Sequence, residues 1–243
     1  MWSRDRLGAA VRTLQYTLRY VVNVHPWLYM PLARRWHCDN RDRLVERDTE
    51  LVIEAFGRSG STFAVLTFEM AQPRHVKTAH HSHAAAQVIV AARWQIPTLV
   101  IVRRPMDSAL SHMVRRRIPA RPALKSWIRF HEHILPYRDR LLVTTLESVS
   151  TDFGLVTRAI NQRFGTDFKE LEHTQENQAR ISEMIEVANL KKYGQATDWV
   201  ARPTPERLER KNARRAELDD PHLANLRKRA DQIYRILVPA GGP

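Results

Sequence analysis

One arginine set among glycines and hydroxyl side chains is the first feature with chemical consequence. The passage Phe56-Gly57-Arg58-Ser59-Gly60-Ser61-Thr62-Phe63 closes a short apolar run. Its small residues let backbone N–H groups approach a ligand, and a helix starting near Ser61 aims the positive end of its dipole at the same place. Ser59, Ser61 and Thr62 add hydroxyl donors, so the passage reads as an anion cradle. A nucleoside-triphosphate loop needs Gly-Lys-Ser or Gly-Lys-Thr, and no such lysine follows Gly60. Helix capping explains Ser61 and Thr62 but gives no reason for Arg58 beside the glycines.

A second basic passage, Arg103-Arg104-Pro105-Met106-Asp107-Ser108-Ala109-Leu110-Ser111, follows another apolar run. Pro105 and Asp107 suit a first helical turn, which leaves Arg103 and Ser111 unexplained by capping. Between the two passages lies Lys77-Thr78-Ala79-His80-His81-Ser82-His83. A histidine there can take the proton of an attacking hydroxyl. Zinc is the competing use, but there is no nearby cysteine or helical His-Glu pattern, and adjacent histidines on a strand point to opposite sides. Strand alternation puts Lys77 and His81 on one face; a surface cluster without catalytic duty is the remaining reading.

Elements must carry these residues to one place. Leu51–Phe56, His75–Ala79, Thr98–Arg103 and Leu141–Leu146 are short apolar runs, β-branched in character, each followed by a helical segment: Thr62–Met70, Ala84–Arg93, Met106–Arg115 and Val149–Phe164. Strand then helix, repeated, predicts an α/β fold with a parallel sheet flanked by helices on both faces. Ligands of such sheets bind at the carboxyl edge, where Arg58 and Arg103 both fall. Beyond residue 165 the helical segments Leu171–Ala188, Pro205–Glu217 and Leu223–Leu237 predict a helical C-terminal cap. We expect one domain over 1–243, with a helical N-terminal segment (1–48), a nucleotide-binding core (49–165) and the cap (166–243).

The chain carries 39 Lys and Arg against 26 Asp and Glu, a net charge of +13, which attracts polyanions of any kind. Cys38 is the only cysteine, so neither an intramolecular disulfide nor a cysteine zinc cluster can form, and a reducing cytoplasm is expected. Leu7, Val11, Leu14, Leu18 and Val21 recur at helical spacing with Arg6, Arg12 and Arg19 beside them. That amphipathic basic helix either packs on the domain's own core or makes peripheral contact with an anionic membrane. The apolar segment after it is interrupted by His25 and Pro26, too short to span a bilayer.

Arg58-Ser59-Gly60-Ser61-Thr62 resembles the 5′-phosphosulfate loop of sulfotransferases that use 3′-phosphoadenosine 5′-phosphosulfate (PAPS), with Gly57 where that superfamily usually has proline. Arg103, Pro105 and Ser111 resemble its 3′-phosphate motif, a serine eight positions after the arginine. The resemblance implies a P-loop NTPase-like fold and PAPS as co-substrate without a metal. It implies Arg58, Ser59, Gly60, Ser61 and Thr62 around the 5′ end, Phe63 against the adenine, and Arg103 and Ser111 on the 3′-phosphate. Lys191 and Lys192, before Gly194 and Trp199, resemble a closing segment over that phosphate; a solvated lysine pair is the alternative. The histidine segment resembles the superfamily's Lys-Thr-His motif with Ala79 inserted, which makes His81 the first choice as general base and His80 the second. The activity implied is sulfonate transfer to a hydroxyl or amine of a carbohydrate, lipid or small alcohol, with no nucleic acid as partner. Two rivals stand beside it: a P-loop-type kinase, and a non-catalytic nucleic-acid-binding protein drawn by the charge.

Overall fold

The computed structural model describes residues 4–36, 43–194 and 205–238. At its centre are β1 (Leu51–Ala55), β2 (Thr78–His80), β3 (Thr98–Val102) and β4 (Leu142–Thr145), all parallel, in the order β2-β1-β3-β4. Val52 pairs with Ala79, Ile53 with Leu99 and Val100 with Val143. β1 and β3 are buried at every position, as strands of a sheet covered on both faces are.

Alternation divides their side chains between two cores. Leu51, Ile53 and Ala55, with Leu99 and Ile101, meet Ala64, Val65 and Phe68 of α3 (Ser61–Ala71). Val149 of α7 (Leu146–Thr151) and Phe153, Val156 and Ile160 of α8 (Phe153–Phe164) complete that side. On the opposite face Val100 and Val102 meet Val88 and Ala92 of α4 (Ala85–Trp94), Leu110 and Met113 of α5 (Pro105–Arg116), and Trp127 and Phe130 of α6 (Ala120–Ile134). Val52 and Ala79 pack with Tyr29 and Met30 of α2 (Pro26–Trp36). Full burial of side chains of this size contributes about 1.5–3 kcal/mol each, so this two-sided packing dominates stability.

The C-terminal helices cover both faces. α9 (Gln175–Tyr193) lays Ile181 and Ile185 on Phe63, Leu66 and Met70. α10 (Pro205–Arg215) runs along α5, and α11 (Ala224–Leu237) adds Ile233 and Leu237 to the core of α5 and α6. The sequence pattern does not reveal α6, which carries Pro122 in its first turn and buries Ala123, Leu124, Trp127 and Ile134. The helix expected over Val149–Phe164 is divided at Asp152, whose carboxylate accepts the Gly154 and Leu155 N–H groups and caps α8.

Two expectations are corrected. β2 starts at Thr78 rather than His75, because pairing with β1 begins at Leu51 opposite Thr78. Lys77 therefore precedes the strand and its ammonium donates to Glu46 and Asp48 (2.6 and 2.7 Å), so alternation does not relate it to His81. The apolar stripe of α1 (Arg4–Val22) is not what packs on the core: Tyr16 and Tyr20 do, while Leu7, Val11, Leu14 and Leu18 are 46–59% exposed. Among the described residues no helix is long and apolar enough to cross a membrane.

Candidate functional site

With all four strands parallel, the loops after β1, β2 and β3 emerge at one edge of the sheet. β2 lies on one side of β1 and β3 on the other, and the crevice where strand order reverses in this way is where such sheets hold ligands.

The loop after β1 is fixed by two glycines with different duties. The Gly57 carbonyl accepts a hydrogen bond from His112 Nε2 at 2.8 Å, and a Cβ at Gly57 would stand 3.0 Å from that nitrogen. Burial drives the His112 pKa down to about 3, so the ring is neutral; with its proton on Nε2, Nδ1 accepts from the Tyr16 hydroxyl at 3.2 Å. The helix packed beneath thus explains glycine at 57. Gly60 has φ 88°, and a Cβ there would collide with Leu146 Cδ1. α3 starts immediately afterwards without a side-chain cap. Ser59 is buried in the loop, and its hydroxyl has no protein partner.

Arg58 and the second basic passage meet at this crevice. Arg58 Nε donates to Ser111 Oγ at 3.4 Å, and Arg103 donates from its guanidinium to the Arg58 carbonyl at 3.0 Å. The Arg103 carbonyl is itself held by Trp127 Nε1 at 3.3 Å. Burial lowers the Arg103 pKa, against the pull of Asp107 and Glu147. α10 adds Arg207 and Lys211. The Lys211 pKa falls to about 8, first through burial and then through the charges of Arg103, Arg207 and Arg58, with Asp107 opposing. Arg103, Arg207 and Arg58 thus lie close enough to Lys211 for their charges to act on it.

The histidine loop sits beside the cradle. His81 leaves β2 with φ 59° and His83 follows with φ 51°. Among the described residues five non-glycine residues have positive φ; Gln95 and Arg117 are helix C-caps, a role that favours this conformation, while Arg58, His81 and His83 line the crevice. Strained backbone of this kind clusters at functional sites. Because His81 turns out of the strand, the two rings do not point apart as alternation implied. His80 Nδ1 and His81 Nδ1 are 2.5 Å apart, and His81 Nε2 is 3.1 Å from Thr62 Oγ1.

The loop's shape is held by Glu54, a fully buried carboxylate on β1. It accepts the N–H groups of Ser82 (2.7 Å), His83 (3.1 Å) and Ala55 (3.2 Å) and the Gln87 amide (2.9 Å). Burial pushes its pKa up to about 7 while these hydrogen bonds pull it down. His83 Nδ1–H donates to the Ala55 carbonyl at 3.0 Å, a second tie between loop and strand.

Arg58, Ser59, Gly60, Ser61, Thr62, Arg103, Ser111 and His81 thus come together, with His80 ring to ring with His81 at 4.7 Å. Phe63 packs between the α3–α8 core and α9. Lys191 is exposed on the last turn of α9; the Lys192 side chain and residues 195–204, with Trp199, lie outside the described residues. Sequence reasoning missed Glu54, His112, Arg207 and Lys211; for the last two the only signal was a basic pair four residues apart after Pro205. Among the described residues no three His, Cys, Asp or Glu side chains are grouped to hold a metal ion. Two open concavities, of about 500 and 580 Å³, are lined by no residue of the cradle.

No protein-family model matches the chain, and no curated protein matches it. Among solved structures 21 chains match. One is a crystal structure of mouse sulfotransferase SULT7A1 complexed with PAP, 14% identical, with a TM-score of 0.38 over 79% of this chain and 91% of that one. A likeness of that degree carries no argument; the fold rests on the strand pairing and the site on its own geometry.

Proposed function

We propose that the protein transfers the sulfonate group of PAPS to a hydroxyl or amine of an acceptor. The observation that carries the reading is the hydrogen bond from Arg58 to Ser111, with Arg103 on the Arg58 carbonyl: two anion-binding passages far apart in sequence share one crevice. A nucleotide with a charged group at each end is a ligand of matching chemistry. Arg58, the Ser59 hydroxyl and the N-terminus of α3 take the 5′ end. Arg103, Ser111, Arg207 and Lys211 take the 3′-phosphate.

The chemistry then follows from charge. His81, held against Thr62, accepts the acceptor's proton as its oxygen or nitrogen bonds to sulfur in line with the departing oxygen. Arg58 stabilises the negative charge that builds on that oxygen as its bond to sulfur breaks and adenosine 3′,5′-bisphosphate (PAP) leaves, much as fixed cations act in phosphoryl transfer. No step calls on a metal. The acceptor is to be sought among carbohydrates, lipids and small alcohols.

The test is a donor-driven screen with radiolabelled PAPS and pools of these three classes. Label should pass to at least one pool, and His81→Asn should slow transfer by about 10²–10⁴-fold, the ordinary worth of a general base. Transfer unaffected by Arg58→Ala and His81→Asn, or binding of ATP with magnesium and not of PAPS, would contradict the reading.

A further inference from the structure

α1 has two apolar faces. Tyr16 and Tyr20 lie against His112 and Phe56 in the core. At 100° per residue, Leu7, Val11, Leu14 and Leu18 centre about 170° around the helix from those tyrosines, away from the protein. The stripe is about 16 Å long and each of its residues is roughly half exposed. Arg12 and Arg19 are exposed on one flank, and on the other a shallow apolar groove beside Leu14, Ile118 and Pro119 is bordered by exposed Arg117 and by the ion pair of Arg214 with Glu217. From Arg6 to Val22 the sequence contains no acidic residue.

We propose that this outer face of α1 docks on an anionic lipid surface. A second copy of the chain is the other occupant that a stripe of spacing 4-3-4 could take, since that is a coiled-coil seam. In such a pair the positions flanking the seam, Gly8, Ala10, Gln15 and Thr17, would offer no ion pair to fix it, and two chains of +13 would be brought together. An anionic bilayer satisfies both features at once: the leucines enter the headgroup boundary while the arginines meet lipid phosphates. The docking stands independently of sulfonate transfer, because it uses no residue of the crevice.

Flotation with vesicles of phosphatidylcholine alone, or with about a third phosphatidylserine, tests it. The wild type should float with the anionic vesicles only and be released by salt. Arg12→Ser with Arg19→Ser should weaken binding about 30-fold, from the ordinary contribution of two basic side chains at such a surface. Leu14→Glu with Leu18→Glu should weaken it at least about tenfold, and both positions are exposed, so folding can be verified by circular dichroism and melting. No flotation of the wild type, or undiminished flotation of the folded leucine variant, would overturn the proposal. So would a wild-type dimer in solution that the leucine variant converts to monomer, since the stripe would then belong to a second copy.

Discussion

Affinity for PAP should fall as pH rises through about 8, because Lys211 loses its proton there. Its pKa is lowered from 10.5 to about 8 by burial and by Arg103, Arg207 and Arg58. At about 1.36 kcal/mol per unit the shift amounts to about 3.4 kcal/mol. Lys211 is only partly buried, so solvent screening reduces the usable part to roughly 1.4 kcal/mol, a factor of about ten in affinity. A 3′-phosphate in the crevice cancels the cationic field and raises the pKa again; binding above pH 8 must therefore take up a proton. The phosphates themselves are fully ionised above about pH 7, so their charge does not change over this range. Isothermal titration calorimetry in two buffers of different ionisation enthalpy measures both quantities. We expect dissociation constants rising about tenfold between pH 7 and 9.5, with net proton uptake near pH 8.5. Lys211→Arg should bind PAP with little pH dependence, since guanidinium stays charged. Wild-type affinity flat across this range, with no proton exchange, would refute the placement of Lys211 beside the phosphate.

Glu54 makes a stability prediction: its folded pKa of about 7 lies above an ordinary 4.5 in the unfolded chain, so its contribution is fully present below pH 4.5 and is lost as pH rises through 7. Urea midpoints should fall between pH 5 and 7 by the equivalent of about 2 kcal/mol. Glu54→Gln should lack that slope and cost about 1–3 kcal/mol by setting an amide against two N–H donors; parallel pH profiles for variant and wild type would contradict this. Gly57→Ala should destabilise by about 1–2 kcal/mol through contact with His112, and thermal melts should show most of that cost gone in a His112→Ala background. Gly60→Ala should cost more than Gly57→Ala in the same melts, because Leu146 and a φ of 88° both oppose it, and Leu146→Ala should recover only part.

The parts of the site that sequence discloses are those built within one strand–loop–helix passage. Arg58 among glycines and hydroxyls, and Arg103 eight positions before Ser111, are local patterns, and the loops that hold them are local too. Arg207 and Lys211 join them from a helix some hundred residues later, and nothing in a basic pair on a surface helix states which strand edge it will face. Glu54 hides for the opposite reason: a carboxylate inside an apolar run looks out of place until the N–H groups of Ser82 and His83 are seen converging on it. Periodicity located α1 but left open whether its apolar stripe meets the core or a membrane, because helical spacing records that a face is apolar and not what covers it. The histidine loop was misjudged for a backbone reason, since alternation ends where His81 takes a positive φ.

The central claim is that Arg58 and the Arg103–Ser111 pair grip one doubly phosphorylated adenosine. Thermal melting with and without PAP measures it on wild type, Arg58→Ala and Arg103→Ala. The account predicts a raised midpoint for the wild type and the loss of most of that shift in each variant. A wild-type melting curve that PAP leaves unchanged would contradict it.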